Sequence, residues 1–423
     1  MKKIVSLLLA LIMALALVPM AIAEEPITVT YLSIATGTEG EYFDKIIALH
    51  NETHPNVVID RITVAGDTEA YYMKLSTMFA SGEGPDIFDC SAAEFMKYVD
   101  NGIAADLTEK INANRDDWFE PALEGVSIDG TVYAYPCFGG DLLGLYCNVD
   151  MFEAAGLDLP TTWQETYDAA QKLATDTVYG IQIQTRDQNF YGGFEQYPFM
   201  WMGGGDVLSS DGKTVTVNSQ ATIDAFQFYR DLANSEGGNL TPESSNSDLT
   251  PFLTERVAMQ IMGSWGMQYL LNKEKYPEYA DLNWAVVPYP VPAEGMASCS
   301  DKGGWHTMVS NLSKNFEVAL DTADWIFNSD DTVDIFAAHN SEMFKFSSRK
   351  SVLSKAEVFQ TEEAKVWVEQ IAPVARMEPR YPSAVAKAYG EAFEKAIFEI
   401  DTPIADIVAE LEQKCIEAIG QQK

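Results

Sequence analysis

Cysteine and histidine are scarce in this sequence, and their scarcity excludes several kinds of site. The 423 residues include five cysteines and four histidines. The cysteines are widely spaced, odd in number and without a CxxC pair, which excludes common zinc and redox motifs and leaves at least one thiol unpaired. They are Cys90, Cys137, Cys147, Cys299 and Cys415. We expect buried free thiols that pack as small apolar groups. A disulfide between Cys137 and Cys147 is the alternative.

Motifs of the common catalytic and phosphate-binding sites are also missing. The sequence has no nucleophile elbow, no HExxH pair and no phosphate-binding loop, and His306 has no partner at metal-ligand spacing. Carboxylates are abundant, so a glycosidase with two acids about 5–10 Å apart is the enzyme alternative. We expect a protein that is not an enzyme and that needs no metal or cofactor.

Positive charge is the third shortage. Lysine and arginine number 28 against 63 acidic residues, a formal net charge of −35. Such a field repels nucleic acid and anionic lipid and favours neutral or cationic ligands. Most of these acids are expected to form a solvated surface, and no nucleic-acid partner is expected.

Only one long apolar run is present, and it lies at the N-terminus. Lys2 and Lys3 precede the run Ile4–Val18, which is short for a membrane span, and Ala21-Ile22-Ala23 fits a signal-peptidase site. We expect residues 1–23 to be a signal peptide and the protein to be exported to the periplasm or the outer cell surface. No cysteine precedes Cys90, so we expect no N-terminal lipid anchor.

The remaining chain shows alternating strands and helices of an α/β protein. Its length predicts two or three domains, and a hydrophobic fraction of 47% indicates a folded chain. Ile27–Ile34 alternates like a strand and leads into a helical pattern after Gly40. Tyr133–Leu173 predicts a strand and two helices, with Thr162 and Glu165 forming a capping box at the second helix.

Several segments, in order along the chain, resemble the extracellular solute-binding protein family 1, the maltose-binding-protein-like proteins that serve carbohydrate ABC importers. They read SGEGPDIFD (81–89), YAYP (133–136), LLGLYCNVDMFEAAGLDLPTTWQE (142–165), FLTERVAMQIMGSW (252–265), GGWHTMVS (303–310) and FKFSSRKSV (344–352). Two departures are visible: Glu255 and Arg256 replace a usual glycine, and the last segment lacks a usual proline.

The resemblance implies an α/β, two-lobed type II periplasmic-binding fold with discontinuous domains, a hinge and a cleft between the lobes. Residues 24–138 and 291–342 would form the N-terminal lobe, and residues 139–290 and 343–423 the C-terminal lobe. Gly139-Gly140 would supply freedom of the backbone angles at the first crossing.

Ten side chains are candidates for binding ligand in that cleft. Aromatic rings match the apolar faces of sugars, and carboxylate, hydroxyl and guanidinium groups match sugar hydroxyls. The candidates are Glu39, Asp89, Ser91, Asp141, Tyr191, Tyr197, Trp265, Trp305, Arg349 and Tyr389. The alternatives are core packing for the aromatic residues, a helix N-terminal charge for Glu39 and a surface ion pair for Arg349.

The function that the resemblance implies is binding of a mono- or oligosaccharide by a monomer. Hinge closure would load the protein, and the closed form would deliver the sugar to the transmembrane subunits of an ABC importer. The alternatives are a sugar sensor or adhesin subunit that does not transport, and a secreted glycosidase.

Overall fold

The computed structural model describes residues 25–65, 68–136, 140–185, 193–210, 212–238 and 249–420. The expected signal peptide lies outside these residues. Within them, no helix is both long and apolar enough to cross a membrane.

The described strands fall into two main sheets and one hairpin. In chain order they are β1 Ile27–Ser33, β2 Val57–Thr63, β3 Ile87–Ser91, β4 Ser127–Ile128, β5 Thr131–Val132, β6 Asp141–Asn148, β7 Tyr179–Gln182, β8 Val257–Gly263, β9 Trp284–Val287, β10 Ser300–Gly303, β11 Trp305–Val309 and β12 Ala375–Met377.

The α-helices cover both sheets. In chain order they are α1 Gly37–Thr53, α2 Thr68–Ala80, α3 Ala92–Asp100, α4 Thr108–Ala113, α5 Glu120–Glu124, α6 Val149–Ala155, α7 Trp163–Leu173, α8 Tyr197–Met202, α9 Gln220–Ala233, α10 Thr250–Leu253, α11 Met267–Leu271, α12 Phe316–Asn328, α13 Val333–Met343, α14 Lys350–Lys355, α15 Ser383–Phe398 and α16 Ile404–Gly420.

The first lobe is built on a four-stranded sheet in the order β11-β3-β1-β2. β1 runs parallel to β2 and β3, while β11 returns antiparallel beside β3. Parallel strands end at one edge of the sheet, so the residues that follow β1 and β3 lie together. This edge carries Glu39 and Ser91 toward the second lobe.

The second lobe is built on a mixed sheet in the order β12-β10-β6-β8-β7, with β9 also paired to β6. Every residue of β6 is buried. Leu143 and Leu145 pack into one core cluster while Leu142 and Tyr146 pack into another. Successive residues point to opposite faces of a strand, so both faces of this sheet are covered.

Several crossings join the lobes, and three of those in the described residues lie side by side. The first follows Pro136; Cys137, Phe138 and Gly139 lie outside the described residues. The second is at Gly304, between β10 and β11, and the third follows α13. The N–H of Gly140 donates to the carbonyl of Phe346 at 2.5 Å, and backbone hydrogen bonds link Tyr135 to Thr307. This arrangement is a hinge in which each crossing is tied to another.

The crossings differ in part from the expected domain boundaries. Val291 packs in the core of the second lobe, and β10 pairs with β6, so the chain changes lobes at Gly304 rather than at residue 291. Near the other boundary, α14 returns to the first lobe, where Val352 packs in the core. Neither change of lobe alters the hydrophobic periodicity of the sequence, so that periodicity could not predict where the chain changes lobes.

Local sequence motifs correctly predict several structural features. The Thr162 side chain accepts from the backbone of Glu165, and the reciprocal bond completes the capping box. Asp129 and Gly130 both have positive φ and form the turn of the β4–β5 hairpin. Cys147 is a buried free thiol, and Cys137, its possible disulfide partner, lies outside the described residues.

Candidate ligand-binding cleft

A cavity of about 160 Å³ lies between the lobes, and both lobes contribute to its wall. Ten residues line it: Ile34, Glu39, Ser91, Asp141, Phe194, Trp265, Gly304, Trp305, Lys345 and Glu378. The structure therefore brings five of the sequence-predicted residues together, namely Glu39, Ser91, Asp141, Trp265 and Trp305.

Glu39 sits in the first turn of α1 and is held by two basic side chains. Its Oε1 lies 2.8 Å from Nζ of Lys345 and 3.1 Å from Nε2 of His339. Burial alone would raise the pKa of Glu39, but the Lys345 ammonium and the His339 hydrogen bond lower it to about 2. Glu39 is thus a carboxylate at neutral pH, and Lys345 compensates its charge.

Asp141 and Glu378 are compensated less than Glu39 is. Asp141 begins β6, is 6% exposed, and its Oδ1 has no hydrogen-bond partner among the described residues. Burial raises its pKa to about 6, against the opposing effect of Lys345. Burial likewise raises the pKa of Glu378 to about 8; a hydrogen bond from the Gly304 N–H opposes the shift, and the nearby Asp141 adds to it.

A third acid, Asp301, lies behind the cavity wall on β10. It is fully buried. Burial and the neighbouring Glu378 hold the pKa of Asp301 well above its usual range, against the opposing charge of Arg376. The wall of the second lobe is therefore rich in carboxyl groups that hold protons unusually well.

Aromatic rings enter the cleft from opposite lobes. Trp305 of the first lobe stacks on Tyr72, and the hydroxyl of Tyr72 bonds to Ser91. Trp265 of the second lobe lies nearly parallel to Phe194, with centroids 6.5 Å apart. Both tryptophans are partly exposed. The cleft thus combines flat apolar surfaces with hydrogen-bonding groups.

Two glycines shape these walls. A Cβ on Gly263 would lie 1.8 Å from the ring of Trp265, and one on Gly303 would lie 2.3 Å from Oε2 of Glu378. The missing side chain at Gly263 therefore leaves room for the ring of Trp265.

Four predicted site residues lie in the protein interior, and the structure corrects their placement. Asp89 is fully buried and accepts bonds from the Tyr31 and Thr307 hydroxyls and the Ile34 N–H. These bonds connect β3 to its neighbours. Burial raises the pKa of Asp89 to about 7, although the bonds oppose the shift.

Tyr197 and Tyr389 pack against each other in the core of the second lobe, with centroids 4.8 Å apart. Arg349 is 3% exposed; it forms an ion pair with Asp117 and donates to the Ser329 carbonyl. Its guanidinium joins α14 to the first lobe, so the predicted surface pair is a buried one. Tyr191 lies outside the described residues.

Sequence reasoning missed Lys345, Phe194 and Glu378. Lys345 lies within the segment FKFSSRKSV, whose predicted ligand-binding residue is Arg349. Phe194 belongs to the aromatic stretch 190–201 but was not selected from it. Glu378 follows β12 and has no local signal, because its place in the cleft depends on the pairing of β12 with β10.

Lys275 adds a polar contact between the lobes at the edge of the cleft. Its Nζ lies 2.6 Å from Oγ1 of Thr38 and 3.0 Å from Oε1 of Glu342. The hydroxyl of Tyr42 donates to the other oxygen of Glu342. The lobes are therefore in contact beside the cleft as well as at the hinge.

The described residues contain no group of three or more His, Cys, Asp or Glu side chains that could hold a metal ion. Two α/β lobes, a hinge of linked crossings and a cleft lined from both sides define a hinged binding protein. The chain belongs to the family of bacterial extracellular solute-binding proteins, whose sequence model matches residues 35–333.

Individual proteins agree with this assignment. The chain is 26% identical over 306 residues to YcjN of Escherichia coli (strain K12), named as an ABC transporter periplasmic-binding protein, with 67% of each chain covered. One similar solved structure is an ABC transporter solute-binding protein from Thermotoga lettingae TMO bound with α-D-tagatose. Its TM-score with this chain is 0.80 at 20% sequence identity, and the match covers 94% of this chain and 100% of that one. Maltose-bound MalE3 of T. maritima gives a TM-score of 0.78 at 20% identity, and the match covers 92% of this chain and 99% of that one.

Proposed function

We propose that this protein binds a small carbohydrate in the cleft and delivers it to an ABC importer. The observation that carries the proposal is the pairing of Trp305 on one lobe with Trp265 on the other across a cavity that also contains Ser91, Glu39 and Asp141. Flat rings cover the C–H faces of a sugar, and the polar groups bond to its hydroxyls. The combination suits a sugar better than a wholly apolar ligand.

The size of the cavity favours a short ligand. Its volume of about 160 Å³ is below the roughly 300–1,000 Å³ of pockets for drug-sized molecules. A ligand of one or two sugar rings fits this space better than a long oligosaccharide.

Closure of the hinge is the proposed mechanism of capture. A sugar that contacts Trp265 and Trp305 together has full contacts only when the lobes are close. It therefore binds the closed form more tightly than the open form and shifts the population toward closure. The closed protein would then dock on the transmembrane subunits, which separate the lobes and take the sugar.

The proposal includes export through the N-terminal signal peptide, a location in the periplasm or at the outer cell surface, and action as a monomer without catalysis. Family membership and the resemblance to YcjN support the transport role. The tagatose and maltose bound to the structural neighbours support a sugar as the ligand class.

A thermal-shift screen followed by calorimetric titration tests the proposal. The panel contains monosaccharides, short oligosaccharides, glycerol phosphodiesters and polyamines. A sugar at one hundred times its dissociation constant should stabilise the protein by roughly 2.7 kcal/mol. The bound sugar should be recovered unchanged. Binding confined to the other ligand classes, or conversion of the sugar to product, contradicts the proposal.

A further inference from the structure

The cavity lining has more carboxyl groups than basic groups. Its lining includes three carboxyl side chains, Glu39, Asp141 and Glu378, and one ammonium group, that of Lys345. Lys345 lies against Glu39, so its charge is already compensated. The charges of Lys345 and His339 also act on Asp141, but burial outweighs them and its pKa stays raised.

Asp141 provides a second and independent observation. Its side chain lines the cavity, is 94% buried, and holds an oxygen without a hydrogen-bond partner among the described residues. A buried carboxylate that lacks a partner is costly, because its lost hydration is not replaced. A ligand that supplies a positive charge or hydrogen-bond donors there would remove the cost.

The rings around these acids are suited to the same kind of ligand group. An ammonium close to the face of an indole is attracted by the negative face of the ring, and the attraction is stronger away from water. Trp265 and Trp305 both line the cavity that holds Asp141 and Glu378. The net charge of −35 also draws cations toward the protein.

We infer that the cleft selects a sugar with a free, protonated amine, a hexosamine or a short oligomer of one, whose ammonium is held by Asp141 and Glu378 while Glu39 and Ser91 bind hydroxyls. The inference rests on the proposed function and specifies its ligand class. Acetylation of the amine removes the charge, so an N-acetylated sugar is discriminated against.

Matched ligands test the inference on the full-length mature protein. Calorimetry measures the binding of four amino sugars: glucosamine, galactosamine, mannosamine and the glucosamine dimer with free amines. Each is compared with its N-acetylated counterpart and with the sugar that carries a hydroxyl in place of the amine. At least one amine should bind about tenfold or more tighter than both of its counterparts. If a neutral sugar binds as tightly as its amine, the inference is overturned and the proposed function stands. If no sugar of either kind binds, both are overturned.

Single-residue variants test which side chains cause the preference for the amine over the neutral sugar. Asp141→Asn should weaken binding of the amine by about tenfold or more beyond any loss that it causes for the neutral sugar. Glu378→Gln is the second variant, to be used if Asp141→Asn does not fold. Asp150→Asn removes the same charge from an exposed position on α6 and should leave selectivity unchanged. Equal losses for amine and neutral sugar in both cleft variants overturn the inference.

The pH dependence gives a readout that a merely structural role would not change. The charged groups that face Asp141 are Lys345, Glu39, His339 and Glu378. Because the pKa of Asp141 is about 6 in the ligand-free protein, the affinity for the amine should rise from about pH 5 to about pH 7 as the carboxyl loses its proton. An affinity that falls over this interval contradicts the assignment.

Discussion

The indole ring of Trp305 stacks on the ring of Tyr72, with centroids 5.6 Å apart and planes 17° from parallel. The Tyr72 hydroxyl also donates to Oγ of Ser91 at 3.0 Å and accepts from the Ser91 N–H at 2.7 Å. One buried tyrosine therefore positions two residues on the first-lobe wall of the cleft.

Removing that hydroxyl should affect stability and binding together. Tyr72→Phe keeps the ring beneath Trp305 but deprives the buried Ser91 N–H of its partner. The free energy of unfolding should fall by about 1–3 kcal/mol, and sugar affinity should fall about three- to tenfold. Tyr98→Phe is the matched control, because the buried Tyr98 hydroxyl has no hydrogen-bond partner among the described residues. Urea unfolding and calorimetry of both variants provide the check; equal effects would rule out this role for Tyr72.

Truncation of Trp265 should weaken binding rather than the fold. Trp265 is partly exposed at the cavity, so Trp265→Ala should cost about 1–3 kcal/mol of binding free energy, as expected of an anchor residue. Trp163 is a suitable comparison in the same lobe, since it stacks on Phe228 away from the cleft. Trp163→Ala should lower stability and leave affinity unchanged. Calorimetry that shows unaltered affinity for Trp265→Ala would remove Trp265 from the site.

Acid should weaken the fold through Glu39. Its folded pKa of about 2 is below its ordinary value of 4.5, so its contribution is present above pH 4.5 and is lost as the pH falls toward 2. The contribution is about 2–3 kcal/mol. Glu39→Gln should reduce the loss of stability over this interval, measured by urea unfolding at several pH values. Glu41→Gln, an exposed neighbour, should retain the full loss.

The change of stability with pH that is expected from Asp141 has the opposite sign to that expected from Glu39. Its folded pKa of about 6 is above its ordinary value of 3.8, so its neutral form favours the folded state and stability declines as the pH rises from about 4 through 6. The raised pKa of Glu378 acts in the same direction. Asp141→Asn should make the decline shallower by about 2 kcal/mol. Unfolding of the ligand-free protein between pH 4 and pH 8 measures the difference; parallel curves for variant and parent would contradict the prediction.

A glycine at position 255 should stabilise the protein. Glu255 has a φ of +56°, in the left-handed region that disfavours side chains, and it stands where the family usually has glycine. Glu255→Gly should raise the free energy of unfolding by up to about 1 kcal/mol, because the relieved strain exceeds the entropy lost by glycine and the loss of the long, 3.3 Å hydrogen bond that Nδ2 of Asn148 donates to Glu255. Arg256→Gly changes the adjacent exposed residue, which is not among those with positive φ, and should destabilise. Thermal unfolding that ranks the variants in the reverse order refutes this explanation.

The fold was predictable because local and global signals agree in it. The alternation in β1, the capping box at Thr162 and Glu165 and the Asp129-Gly130 turn each fixed one element, and the resemblance assembled them. The lobe boundaries were less predictable. Whether β10 joins β6 or continues toward β11 depends on pairing with distant strands, and residues 291–303 carry no local signal for that choice.

The site was predictable where a residue lies at or near the end of a strand and lines the cavity, as with Glu39, Ser91 and Trp305. It was not predictable where burial decided the outcome. Asp89 also follows the pattern of a cleft residue, but three bonds to β1 and β11 hold its carboxyl inside. Tyr197 and Tyr389 satisfy the composition of a sugar site equally well, yet ring packing in the core accounts for both.

The placement of Trp265 and Trp305 on different lobes means that the protein contains its own optical reporters of ligand capture. Both indoles are partly exposed at the cavity and would lose water when a ligand is enclosed. Their emission should shift to shorter wavelength, so capture and release can be followed in real time on the unlabelled protein. Variants that retain only one of the two indoles would show whether the two lobes engage the ligand at the same rate.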